Sequence, residues 1–251
     1  MATIRQIKVT FIVVLMEAFA VFLLFNFHTS SASARDQFND KLPSVNIIAP
    51  KNNSIYDWNS SVSYNIVVSD HGKSTKYDEI PSNEVLLKTT YVPDLSHMTV
   101  NSAETAKPSP AGLADIINSN CLGCHEFKSK AMGPSFFAIS KRYPETESTM
   151  DILSQYIRGG SVGVWGQARM PSHPEFTEDE LHAISSWIVR DAADPNVNYY
   201  VGTEGTFQME SPGKPGPSAG VILTASYTSH DTKNHPQQEL RGEDTIIVAG
   251  K

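Results

Sequence analysis

Both cysteines of the chain lie in one five-residue stretch, Cys121-Leu122-Gly123-Cys124-His125. Thiols at i and i+3 on a helical turn can reach the two vinyl groups of one porphyrin and form thioethers. A histidine at i+4 then offers its imidazole to the iron from one face. That spacing is the attachment pattern of a c-type haem, one group held covalently. Two other readings of C-x-x-C are a redox dithiol and half a zinc site. Zinc wants two more thiol or imidazole ligands, and no second C-x-x-C exists. A dithiol oxidoreductase has no need of the following histidine, and no βαβ thioredoxin pattern is present. With both cysteines committed to haem, no disulfide is available, although an oxidising compartment would allow one.

An iron held by His125 needs a sixth ligand, or an open position if its task is to bind a gas. Met170 is the candidate, in Trp165-Gly166-Gln167-Ala168-Arg169-Met170-Pro171, a glycine-containing loop closed by proline. A thioether opposite an imidazole favours reduced iron and raises the potential, which suits electron transfer. It also leaves no position for a substrate. Four residues compete. Met132 sits so soon after His125 that its loop would have to turn back on the same side. Met150 opens a helical stretch and reads as core, and His173 and His182 read as surface or structural histidines.

The first residues carry Arg5 and Lys8, followed by an apolar run over residues 9–27 interrupted by Glu17 and Asn26. Ser31-Ala32-Ser33-Ala34 then places small residues where a signal peptidase accepts them, so residues 1–34 read as an export signal. The run is near bilayer-spanning length, which keeps an uncleaved membrane anchor as the alternative, with Glu17 costly at its centre. Cleavage after Ala34 leaves a periplasmic or exported protein; retention anchors it to the outer face of the cytoplasmic membrane. Export supplies the compartment in which c-type haem is joined to protein. A net charge of −7 and no basic cluster beyond residue 35 argue against nucleic acid as a partner.

Along the chain, residues 45–50 read as a short strand followed by a turn at Lys51–Ser54. Val62, Tyr64, Ile66 and Val68 alternate as in a half-buried strand, and residues 84–92 read as another. Residues 96–109 are a linker rich in Ser, Thr, Pro and Asn. From Pro110 the pattern turns helical: Leu113, Ile116 and Ile117 lead into the cysteine motif, Ile152 to Ile157 repeat the spacing, and Thr177-Glu178-Asp179-Glu180 is a capping box. Strand character returns at residues 206–209, 221–227 and 245–249, the last two joined by a polar loop over residues 229–241. Three early and three late strands are each too few to close a core. Together they suffice for one immunoglobulin-like sandwich, residues 43–95 plus 197–251, interrupted by an all-α module at residues 110–193. Three independent pieces in a row are the alternative. The fold class expected is multidomain, α plus β, with an N-terminal signal or anchor helix.

Residues 110–192 resemble a small class I bacterial cytochrome c of the c-551/c-552 type. The resemblance rests on Cys121-Leu122-Gly123-Cys124-His125, Gly133-Pro134-Ser135, Gly159-Gly160-Ser161, Val164-Trp165-Gly166 and Met170-Pro171, in that order. It implies that the Pro134 carbonyl orients the imidazole of His125, and that Trp165 packs by the haem and hydrogen-bonds a propionate. Ser172 stands where the family has a second proline, a departure that loosens the methionine loop. The flanking strands are similar to the Ig/PKD-like repeats beside cytochrome c domains in large exported proteins of Bacteroidetes-type bacteria.

The function expected is single-electron transfer between periplasmic redox partner proteins through a His/Met-ligated haem, by a carrier and not an enzyme. The alternatives are the haem subunit of an exported dehydrogenase complex and a haem-based gas or redox sensor. No nucleophile–base pair or carboxylate dyad stands out. Asp70, Asp78 and Glu79 could hold calcium but read as an acidic, solvated turn.

Overall fold

The structure, a computed structural model, describes residues 42–96, 110–230 and 240–251. The signal and anchor readings at residues 1–34 lie outside these residues, as do residues 97–109 of the linker and 231–239 of the polar loop. Among the described residues no helix is long and apolar enough to cross a membrane.

Nine strands are described: β1 Ser44–Ala49, β2 Ser54–Tyr56, β3 Ser61–Asp70, β4 Lys73–Ser74, β5 Leu86–Val92, β6 Val197–Val201, β7 Glu204–Gln208, β8 Gly220–Thr228 and β9 Arg241–Gly250. One sheet has β3 between β1 on one side and β4 and β7 on the other; the second runs β2-β9-β8-β5-β6. Early and late strands hydrogen-bond directly to one another. Val62 pairs with Phe207 across β3 and β7, and β5 lies between β6 and β8. The alternation in β3 turns Val62, Tyr64, Ile66 and Val68 inward, all nearly inaccessible. They meet Leu87, Val221, Leu223 and Val248 from the other sheet in one hydrophobic core. Burying a side chain of this size is worth about 1.5–3 kcal/mol, so the two faces hold each other.

The residues read as a turn at Lys51–Ser54 lead directly into β2, which adds to β9 in parallel. The early strand read from residue 84 begins at Leu86, because Ser82–Glu84 form a 3₁₀ turn. The sequence reading also gave no strand at β6.

Between β5 and β6 the described residues form four α-helices: α1 Ala111–Ile117, α2 Phe136–Arg142, α3 Glu147–Gly159 and α4 Glu178–Arg190. The starts of α2, α3 and α4 are capped by Ser135, Thr146 and Thr177, whose side-chain oxygens accept from free backbone amides. At α4 the Glu180 carboxylate also accepts from the Thr177 amide, completing a capping box. Leu113, Ile116, Phe136, Leu153, Leu181, Ile184 and Trp187 fill a second core. Leu86 of β5 and Tyr199 and Val201 of β6 pack into it as well. Residues 42–251 are one compact unit.

Candidate functional site

α1 stops at Asn118, and Ser119 turns the chain by donating to the Ile116 carbonyl at 2.9 Å. A 3₁₀ turn at Cys121–Gly123 follows. The amides of Cys124 and His125 both return to the Cys121 carbonyl, at 3.1 and 3.0 Å. This turn brings Cys121, Cys124 and His125 onto the wall of one cavity of about 720 Å³, within the range of roughly 300–1,000 Å³ usual for cofactor clefts. Burial pushes the Cys121 thiol up, partly offset by its hydrogen bond with Ser119.

His125 is buried, and its Nδ1 lies 2.7 Å from the Pro134 carbonyl oxygen. A carbonyl can only accept, so Nδ1 carries the proton and Nε2 keeps its lone pair for a metal. The chain reaches this carbonyl by passing against the ring. A Cβ on residue 133 would sit 2.6 Å from His125 Cε1, so only glycine fits there. Phe136 stacks on the other flank, 5.5 Å between centroids and 24° between planes.

Met170 lines the same cavity. Its backbone is tied to Ser161 by two hydrogen bonds, Met170 N to Ser161 O at 2.9 Å and Ser161 N to Met170 O at 3.2 Å. Gly160 makes the approach possible: its φ is +74°, and a Cβ there would lie 2.7 Å from the Met170 carbonyl. Arg142, at the end of α2, donates to the Val164 carbonyl at 2.7 Å and lies 4.6 Å over the Trp165 ring. Trp165, 41% exposed, therefore forms part of the cavity mouth with Met132 and Val162, both more exposed. Lys128, Lys130 and Arg169 line the cavity and no carboxylate does.

Of the four competing residues, Met132 and His173 also line the cavity, and Met150 and His182 do not. Met150 is in the helical core, and Met132 stands at the mouth with its sulfur 3.9 Å from Cys124 Sγ. His182 is exposed and faces Glu147. His173, read as a surface or structural histidine, is buried: it is 6% exposed, lines the cavity, and is held at Nδ1 by Glu175 at 2.9 Å. A single histidine carries no periodic signal, and its burial follows from its amide bonding the Ile157 carbonyl at the end of α3. Phe136 and Arg142 were also missed, since the apolar residues of α2 run consecutively from Phe136 to Ile139 and show no helical spacing.

In the acidic turn the carboxylates of Asp70 and Glu79 are engaged by protein groups. Asp70 is buried and accepts from Ser229 Oγ at 2.6 Å, with His71 Nδ1 2.7 Å from its other oxygen. Glu79 accepts from the Ser74 amide, and Asp78 ends a 3₁₀ turn. Among the described residues no group of three or more His, Cys, Asp or Glu is placed to hold a metal.

A cleft with an imidazole lone pair, a thioether, two thiols on one wall and no carboxylate fits an iron porphyrin. The helical domain and its site thus define a small haem-holding module. A cytochrome c family model matches residues 111–190. Cytochrome c-552 of Nitrosomonas europaea is 34% identical over 71 residues, which are 28% of this chain and 69% of that protein. Cytochrome c-552 of Hydrogenobacter thermophilus is 33% identical over 86 residues, 31% of this chain and 87% of that protein. The crystal structure of the wild-type Nitrosomonas protein aligns with 31% of this chain and 96% of its own, at 31% identity and a TM-score of 0.30. Through this segment the chain belongs to the cytochrome c family. Membership brings a covalently attached haem c and the work of a haem-based electron carrier.

Proposed function

We propose that the chain is an exported mono-haem cytochrome that passes single electrons between redox proteins outside the cytoplasm. Cys121 and Cys124 would hold the haem through thioethers, and His125 and Met170 would ligate its iron. The haem supplies a one-electron iron couple, and the protein sets its potential and its access. The observation that carries this reading is the hydrogen bond from His125 Nδ1 to the Pro134 carbonyl. It fixes the tautomer, keeps Nε2 available and raises the basicity of the ring. Met170, on the same cavity, is the thioether that its backbone ties to Ser161 hold in place.

Trp165, with Arg142 stacked on its ring, would pack against the haem edge and hydrogen-bond a propionate. The cavity mouth at Met132, Val162 and Trp165 is where a partner approaches. Weak electron-transfer contacts are small, so three exposed apolar side chains suffice for a transient encounter. The two sheets flanking the helical domain are read as an immunoglobulin-like sandwich that positions the carrier. Residues 1–34 direct export, with residues 9–27 as an anchor if uncleaved.

The test is Met170→Ala in the exported, haem-loaded protein. The weak far-red band that reports iron–sulfur bonding in the oxidised form should vanish. The reduced form should gain carbon monoxide binding, and the midpoint potential should fall. A band that persists in the variant overturns the assignment of Met170.

A further inference from the structure

β6 lies between two cores, and its side chains divide between them. Tyr200 packs on the sandwich core, whereas its neighbours Tyr199 and Val201 pack into the core of the helical domain. Tyr199 lies outside the segment that matches the cytochrome c family. Its ring sits 5.1 Å from Phe127 and 5.8 Å from Trp187, centroid to centroid. Phe127 and Trp187 both contact Phe136, at 5.6 and 5.8 Å, and Phe136 stacks on His125. An unbroken set of rings therefore joins a sandwich residue to the imidazole.

The contact is fastened as well as packed. Lys128 donates to the Pro195 carbonyl at 2.7 Å and Lys141 to the Ala193 carbonyl at 3.0 Å, pinning the connection from α4 to β6 against α2 and the residues before it. Leu86 of β5, which is 4% exposed, completes the covered surface. Burial, with Asp191 and Asp194 nearby, pushes the Tyr199 hydroxyl up to about 12, so the residue stays neutral across the physiological range.

We propose that Tyr199 is a positioning residue for His125, acting through Phe127, Trp187 and Phe136, so that the β-sandwich tunes the haem potential. The proposal rests on the reading of His125 as the proximal ligand. Its physical basis is twofold. The ring wall keeps water and its dielectric away from the side of the site behind the histidine, and a more polar surrounding favours the oxidised, more positive centre. The wall also fixes Phe136, and with it the ring plane of His125, whose orientation governs its basicity toward the metal.

The experiment is potentiometry on the full-length, haem-loaded protein and on Tyr199→Phe, Tyr199→Leu and Leu223→Ala. Leu223 is fully buried in the sandwich core and touches none of these rings, so it controls for simple loss of sandwich stability. Tyr199→Leu is expected to lower the midpoint, Tyr199→Phe to restore the wild-type value, and Leu223→Ala to leave it unchanged. A wild-type midpoint in Tyr199→Leu overturns the proposal, and so does an equal fall in Leu223→Ala. If Tyr199→Leu does not accumulate, Leu86→Val opens the same wall from β5 and carries the same two outcomes. A wild-type protein without a His/Met low-spin haem spectrum would instead overturn the ligand reading beneath it.

Discussion

Behind His125 the wall of the cleft is made of rings. Phe136, Phe127 and Trp187 are buried and touch one another at centroid distances between 5.6 and 5.9 Å. On the same cavity Met170 stands on a loop tied by two backbone hydrogen bonds to Ser161 and by Arg142 to Val164. Val162 and Trp165 on that loop are exposed. One side is fixed by packing, which is dense and redundant. The other is tied by a few directional bonds, with Met170 packed against the helical core and Val162 and Trp165 beside solvent. The first should resist small changes and fail expensively, and the second should yield locally at little cost to the whole fold.

The largest effect should follow from Trp187→Ala. Trp187 is 2% exposed and meets Phe127, Phe136 and Tyr199 at once. Removing a buried ring of this size costs about 3–5 kcal/mol. Urea unfolding of the haem-loaded protein should show the midpoint drop, with Trp187→Phe recovering most of it. A loss below about 1 kcal/mol would mean that the ring wall is not what holds the proximal side.

The same contrast governs what the sequence revealed. The Cys121–His125 turn was legible because its chemistry is local: five consecutive residues carry two thiols and an imidazole at fixed spacing. β3 was legible because one of its faces is buried and the other wet, so Val62 to Val68 alternate cleanly. β6 was not, for the opposite reason. Both of its faces are half covered, one by each core, and Val197 to Val201 show no alternation. α2 failed to register because its apolar residues, Phe136 to Ile139, are consecutive and show no helical spacing, whereas Leu113, Ile116 and Ile117 of the equally short α1 do. The ring wall was invisible as a set, since Phe127, Phe136, Trp187 and Tyr199 come from four separate segments and meet only in the fold.

Arg142→Ala tests the loop side. The exposed guanidinium contributes one hydrogen bond to the loop and cation–ring contacts with Trp165 and Tyr143, of which those reaching the loop are together worth about 1–2 kcal/mol at most. The expected unfolding change is accordingly small, well under that of Trp187→Ala. The local change should be larger than the global one suggests: the far-red band of the oxidised protein should weaken at a lower alkaline pH than in the wild type. Equal loss of the band and of global stability would show that the loop is packed into the fold like the opposite wall.

The smallest effect concerns the start of α4, the helix that carries Trp187 into the wall. The Glu180 carboxylate accepts from the Thr177 amide at 2.7 Å and from its hydroxyl at 2.8 Å. These bonds hold the group below its ordinary value of 4.5. A carboxylate whose folded value is depressed stabilises the fold above its unfolded value, and that contribution disappears as pH falls through the lower, folded value. The Glu180 carboxylate therefore helps α4 near neutral pH and loses that contribution in acid, while the Thr177 hydroxyl goes on accepting from the Glu180 amide. Glutamine at this position keeps an acceptor for the cap but no charge to titrate. Glu180→Gln should leave the fold slightly weaker near neutrality and no weaker than wild type in acid, so the stability curve against pH becomes shallower below the carboxylate range. The Met170 band, on the other side of the cleft, should not respond to this variant at neutral pH. A parallel displacement of the whole curve would show that the cap acts through its geometry alone. A change in the band would show that α4 governs the loop as well as the wall.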